Sequence, residues 1–132
     1  MYYGDEQAFR GVKEEREGGD DEVRPAFPTG PDGLDPGGWA TYRLHQGLIG
    51  LRRRLPWLVT ARTEAIEVTN DQFAYEVVGA GGERIRVLLN MADEEYRFEV
   101  DDVVEVLVAG DDASGPEHVV GPKGWAILQP AD

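Results

Sequence analysis

The sequence has no cysteine, so a disulfide framework and a thiolate zinc site are both excluded. Ser114 is its only serine and stands in a Gly/Asp-rich stretch, so no serine triad can be built. The two histidines, His45 and His118, have no third ligand at metal spacing and read as structural. No apolar run approaches the roughly 20 residues of a membrane-spanning helix. The N-terminus shows no basic stretch followed by an apolar segment, so no signal peptide is read and the chain as encoded is expected in the cytoplasm. Basic residues are scarce, 13 against 26 acids, for a formal charge of −13. That balance speaks against nucleic acid and anionic membranes as partners, because both would repel the molecule as a whole. Neutral partners such as sugars are unaffected.

What is present divides into three stretches across 132 residues. Residues 1–38 are punctuated by Gly18–Gly19, Pro25, Pro28, Pro31, Pro36 and Gly37–Gly38 around an acidic run, GVKEEREGGDDEV. They offer little apolar area to offset the entropy of ordering, so the segment is expected to be disordered or laid against a surface. Residues 39–56 are expected to be helical. Asp35 and Pro36 suit the start of a helix, Arg52, Arg53 and Arg54 suit the negative end of its dipole, and Pro56 stops it. Leu44, Leu48, Leu51 and Leu55 form one apolar stripe, with Ile49 beside it. Gly47 and Gly50 each cost the helix about 1 kcal/mol relative to alanine.

From residue 57 to 132 the period changes to two. Ile66 and Val68 alternate with acids, Asn70–Asp71 marks a turn, and Phe73, Tyr75 and Val77 follow. Then come Ile85, Val87 and Leu89, the trio Tyr96, Phe98 and Val100, and the run VVEVLVAG, dense enough for a strand buried on both faces. HVV and a final strand around Trp125–Leu128 complete the pattern. The fold class expected is mainly β: an antiparallel β-sandwich, Greek-key-like, of about seven strands, preceded by one amphipathic helix and the acidic segment.

Few residues suggest chemistry. Asp5 and Glu6 are adjacent carboxylates, but sequence neighbours point apart, whereas a glycosidase needs carboxyls on opposite sides of the scissile bond. They read as a solvated turn or as salt-bridge partners. Asp20, Asp21 and Glu22 could hold calcium, yet they lack the alternating acids and positioned glycine of an EF-hand and read as a surface charge run. Trp39, Trp57 and Trp125 could stack on sugar rings, and each also suits core packing. No cofactor, metal site or catalytic residue is expected from these residues.

Three of these stretches together resemble the α-amylase family of glycoside hydrolases (family thirteen). MYYGDEQAF is similar to the end of the family's last barrel strand, WATYRLHQGLIGLRRRLPWL to the last barrel helix, and the module ending GPKGWAILQP to the C-terminal β domain. Position 1 is usually a β-branched apolar residue in that motif, and Met1 departs from it. The resemblance implies that Tyr3, Gly4, Asp5 and Glu6 lie at the barrel rim in a supporting role. It implies a C-terminal fragment of an α-glucan-active glycosidase or transglycosidase. The family's catalytic carboxylates sit on earlier strands without counterpart here, so no catalytic residue is carried over and the chain alone is expected to be inactive. A stand-alone carbohydrate-binding module for α-glucan or maltooligosaccharide is the alternative, as is a segment that completes a separately encoded barrel. The stripe of Leu44, Leu48, Leu51 and Leu55 would face the barrel in such an enzyme, and here either self-association through it or a helix rearranged onto the β domain is expected.

Overall fold

A computed structural model describes residues 3–100, 103–110 and 118–131. Met1, Tyr2 and Ser114 lie outside the described residues. The chain forms two compact units, residues 1–50 and 51–132.

The first unit is irregular up to the helix, with short 3-10 turns at Asp5–Gln7 and Pro31–Gly33. Although poor in apolar residues, it is held by local contacts. The Phe27 ring lies 5.7 Å from Tyr3 and 5.1 Å from Phe9, and the Tyr3 hydroxyl donates to the Pro25 carbonyl at 2.9 Å. Glycines let backbone segments approach: a Cβ at Gly11 would come within 1.9 Å of the Glu22 carbonyl, and one at Gly19 within 1.9 Å of the Glu14 carbonyl. Such contacts answer the entropy problem with backbone packing and aromatic rings instead of a hydrophobic core.

Helix α1 runs Gly38–Arg54. The Asp35 carboxylate accepts from Gly37 N at 2.9 Å and its carbonyl from Gly38 N at 2.9 Å, the turn that leads into the helix. Along the leucine stripe Leu51 is buried at 4% exposure, Leu44, Leu48 and Leu55 are half-buried, and Ile49 is exposed.

The second unit holds seven strands: β1 Arg62–Val68, β2 Gln72–Val78, β3 Arg84–Asn90, β4 Tyr96–Arg97, β5 Val103–Ala109, β6 Val119–Val120 and β7 Trp125–Pro130. Five form an antiparallel sheet in the order β1-β2-β3-β7-β5, and β4 pairs with β6 in a second small sheet. The antiparallel, mainly β fold read from the two-residue period is the one found. Residues paired across strands share a face, so Ala74, Leu88 and Ala126 point to one side and Phe73, Leu89 and Trp125 to the other. The first side is the core. Ala74, Leu88, Ala126 and Leu128 pack there with Phe98, Val100 and Val120, supplied by the segment after β4 and by β6. The fully buried Leu88 and Phe98 each contribute about 1.5–3 kcal/mol by leaving water.

One reading of the sequence needs correction. VVEVLVAG is not buried on both faces: among the described residues β5 pairs only with β7 and is a sheet edge, where Glu105 is exposed and Val106 is 49% exposed. Strand order, not apolar content, decides burial. Ile66 and Val68 stay outside the core, at 45% and 68% exposure. They belong to the opposite edge strand, whose register shifts between Ala65 and Glu67. That bulge leaves Ile66 unpaired and sets Glu67 opposite the core residue Ala74.

Candidate functional site

The motif residues Tyr3 to Glu6 form a tight turn. Gly4 has φ 89°, a conformation that favours glycine, and its carbonyl accepts from Gln7 N at 2.9 Å. A Cβ on Gly4 would stand 2.4 Å from the Phe9 ring. Asp5 is exposed and Glu6 half-buried. The neighbouring Gln7 is buried at 4% exposure, and its Oε1 has no hydrogen-bond partner among the described residues. Its backbone carbonyl abuts the first helical turn, where a Cβ on Gly38 would lie 2.1 Å away. The motif is thereby tied to the helix start that carries Trp39. Gln7 had no signal in the sequence, because a polar residue outside any periodic element announces nothing about burial.

Trp39 is 37% exposed and meets Tyr42 edge-on at 5.6 Å. Trp57 and Trp125 belong to the second unit and sit at opposite ends of β7. Trp125 opens the strand and packs on Gly110, while Trp57 lies beside Pro130 and Ala131. At about 3.3 Å per residue the two ends are more than 15 Å apart, so these tryptophans build no common platform.

Trp57 sits in the 3-10 turn Pro56–Val59. Its indole packs on Gly79, where a Cβ would stand 2.9 Å from the ring. It also lines a cleft of about 200 Å³ with Gly82, Glu83, Arg84, Gln129, Pro130 and Ala131. The β2–β3 turn supplies one wall and the end of β7 the other. Glu83 Oε2 accepts from Gly81 N at 3.0 Å. Arg84 Nη2 donates to the Ala131 carbonyl at 2.8 Å, and Gln129 Nε2 donates to the Arg84 carbonyl at 3.1 Å. Sequence reading had singled out Trp57 but not Glu83, Arg84 or Gln129, which are brought together only by pairing of distant strands.

Other singled-out residues are absorbed by local structure. Asp20 pairs with Lys13 at 3.4 Å and with Arg24 at 3.5 Å. Among the described residues no three His, Asp or Glu side chains are grouped to hold a metal ion. His45 Nδ1 lies 2.9 Å from the Thr41 carbonyl one turn back, and the His118 carbonyl accepts from Phe98 N. Two tyrosines have raised pKa values, Tyr96 chiefly through its hydrogen bond to Glu67 and Tyr75 through burial. Among the described residues no helix is long and apolar enough to cross a membrane.

No protein-family model matches the sequence, and no curated protein matches it. Solved structures do. Trehalulose synthase MutB from Pseudomonas mesoacidophila MX-45, in its monoclinic form, matches 67% of this chain at 23% identity and a TM-score of 0.60. A MutB mutant in complex with glucose matches the same share at 22% identity and TM-score 0.60, and an inactive double mutant with isomaltulose at 23% and 0.59. Over 67% of its length the chain shares the fold of a part of trehalulose synthase. It spans only 17–18% of the length of those MutB chains. MutB is an α-amylase-family enzyme, so the fold likeness falls on the family whose motifs the sequence resembles.

Proposed function

We propose that this chain is the C-terminal, accessory portion of an α-glucan-active glycoside hydrolase or transglycosidase, and that it is inactive by itself. The observation that carries this reading is the joint occurrence of the fold likeness to part of MutB and the Tyr-Tyr-Gly-Asp-Glu motif ahead of the helix. In this role Tyr3, Gly4, Asp5 and Glu6 support the rim of a catalytic barrel, and the leucine stripe of α1 covers the barrel wall. Chemistry agrees with an accessory role. Glycoside hydrolysis takes two carboxyls about 5–10 Å apart across a sugar. Among the described residues Glu83 is the only carboxylate lining the Trp57 cleft, and Arg84 is its neighbour.

The test is an assay of the purified, folded chain against sucrose, maltose and maltooligosaccharides, with products resolved by chromatography. No turnover is expected. Turnover that persists through repurification and is abolished by Glu83→Gln would overturn the reading.

A further inference from the structure

We propose that the cleft beside Trp57 is a binding site for a single neutral sugar ring. The proposal stands on the cleft itself and not on the accessory reading, so either can fail alone.

Its lining combines four features that together select one ligand chemistry. Trp57 offers an aromatic surface held in place by its packing on Gly79. Glu83 uses Oε2 on the Gly81 amide, which fixes the carboxylate and leaves Oε1 to accept from a ligand. Gln129 commits Nε2 to the Arg84 and Pro130 carbonyls, and its Oε1 remains as a second acceptor. Arg84 is anchored by the Ala131 carbonyl and by Glu76, at 2.8 and 3.7 Å, and has further N–H groups to donate. A mainly polar lining of fixed acceptors and a fixed donor, with Trp57 at its side, suits a ring with hydroxyls at its edge.

Competing ligand classes fit worse. An anion would face the Glu83 carboxylate in a molecule of net charge −13, with Arg84 already turned to Glu76. A divalent cation would find, among the described residues, one lining carboxylate and an adjacent guanidinium. An apolar ligand would strip water from Glu83, Arg84 and Gln129 without replacing it. The cavity of about 200 Å³ is below the roughly 300–1,000 Å³ of drug-sized pockets, which limits the site to one ring of a glucan chain or a free monosaccharide.

The experiment is saturation-transfer NMR and calorimetric titration of the whole chain with maltose, run beside glucose 6-phosphate. Saturable, millimolar binding of maltose is expected, with weaker binding of the phosphate ester. Glu83→Gln keeps an acceptor for Gly81 N, so it should fold, and it should lower maltose affinity about tenfold through loss of a charge-assisted hydrogen bond. Trp57→Phe should weaken binding in the same direction, and Trp125→Phe, at the far end of β7, should leave it unchanged. Absence of maltose binding by the folded chain would overturn the proposal. So would affinity untouched by Glu83→Gln and Trp57→Phe, or tighter binding of glucose 6-phosphate than of maltose.

Discussion

Glu67 accepts a hydrogen bond from the Tyr96 hydroxyl at 2.5 Å, across 29 residues of sequence. The bond depends on the bulge at Ile66, which shifts Glu67 from opposite Phe73 to opposite Ala74 and so onto the face that Tyr96 packs against. It joins the sheet edge to the strand that covers the core. Deleting Ile66 should restore a regular register in which Glu67 still stands opposite Ala74, so Glu67 should keep its present face. The Glu67–Tyr96 contact should then persist, seen as a Tyr96 pKa that stays raised in an NMR titration, and a return toward the usual value would contradict this.

The same bond sets a pH dependence. Tyr96 titrates above its ordinary value of 10.0, first because its hydroxyl donates to Glu67, then because burial and the Glu67 charge disfavour the phenolate. Its stabilising contribution is complete below pH 10 and is lost as pH rises through the folded value. Tyr96→Phe should lower stability at neutral pH and make the alkaline loss of stability shallower, measured by urea unfolding on either side of pH 10. An unchanged alkaline limb would contradict this.

Asn90 is fully buried at the end of β3 and joins three parts of the chain. Its Nδ2 donates toward the carbonyls of Glu94, Val120 and Gly121 at 2.8, 3.1 and 3.0 Å, and its Oδ1 accepts from Ala92 N at 3.1 Å. Asn90→Ala leaves these groups without their partner, at about 1–3 kcal/mol for each buried group left unsatisfied. Chemical denaturation should show a loss of that size or more, and Asn90→Asp should not rescue it, since a carboxylate cannot donate to carbonyls.

Glu76 on β2 is the shared acceptor for Arg86, at 3.1 Å, and Arg84, at 3.7 Å. The Glu76 and Arg86 side chains are only 14% and 13% exposed, so salt screens them weakly. Glu76→Ala should cost about 1.5–3 kcal/mol, with little change between low and high salt. It should also loosen Arg84 and weaken maltose binding in the Trp57 cleft, read by the same calorimetric titration.

Self-association through the α1 stripe is a separate prediction. Leu44 and Leu48 are half-buried and Ile49 is 46% exposed, so this stretch carries apolar surface that a second copy could cover. Light scattering should show a dimer or larger species, and Leu48→Glu should shift it to monomer. A monodisperse monomer for the unaltered chain would remove the prediction.

Strand positions were legible because alternation is local: Phe73, Tyr75 and Val77, or Ile85, Val87 and Leu89, declare a strand without reference to anything distant. The helix was legible for the same reason, from Asp35 at its start to the arginines at its end. The acidic N-terminal segment was harder, because its order depends on Gly11 and Gly19 admitting backbone contacts that composition does not encode. In the site, aromatic character marked Trp57 as worth following. Glu83, Arg84 and Gln129 looked like ordinary surface residues, since nothing in an isolated turn or strand end shows what will stand opposite it.

The sequence by itself determined which segments become helix and strand, the antiparallel class, the absence of cysteine chemistry and the strongly acidic surface. Each follows from composition or from spacings of a few residues. Tertiary structure decided that β1 and β5 are edges, that a bulge turns Glu67 inward, that Asn90 is buried, and that Trp57 shares a cleft with residues more than 70 positions away. Those outcomes depend on which strands pair and in what register. Pairing is set by the summed burial of a whole face, a quantity that no short window of sequence contains.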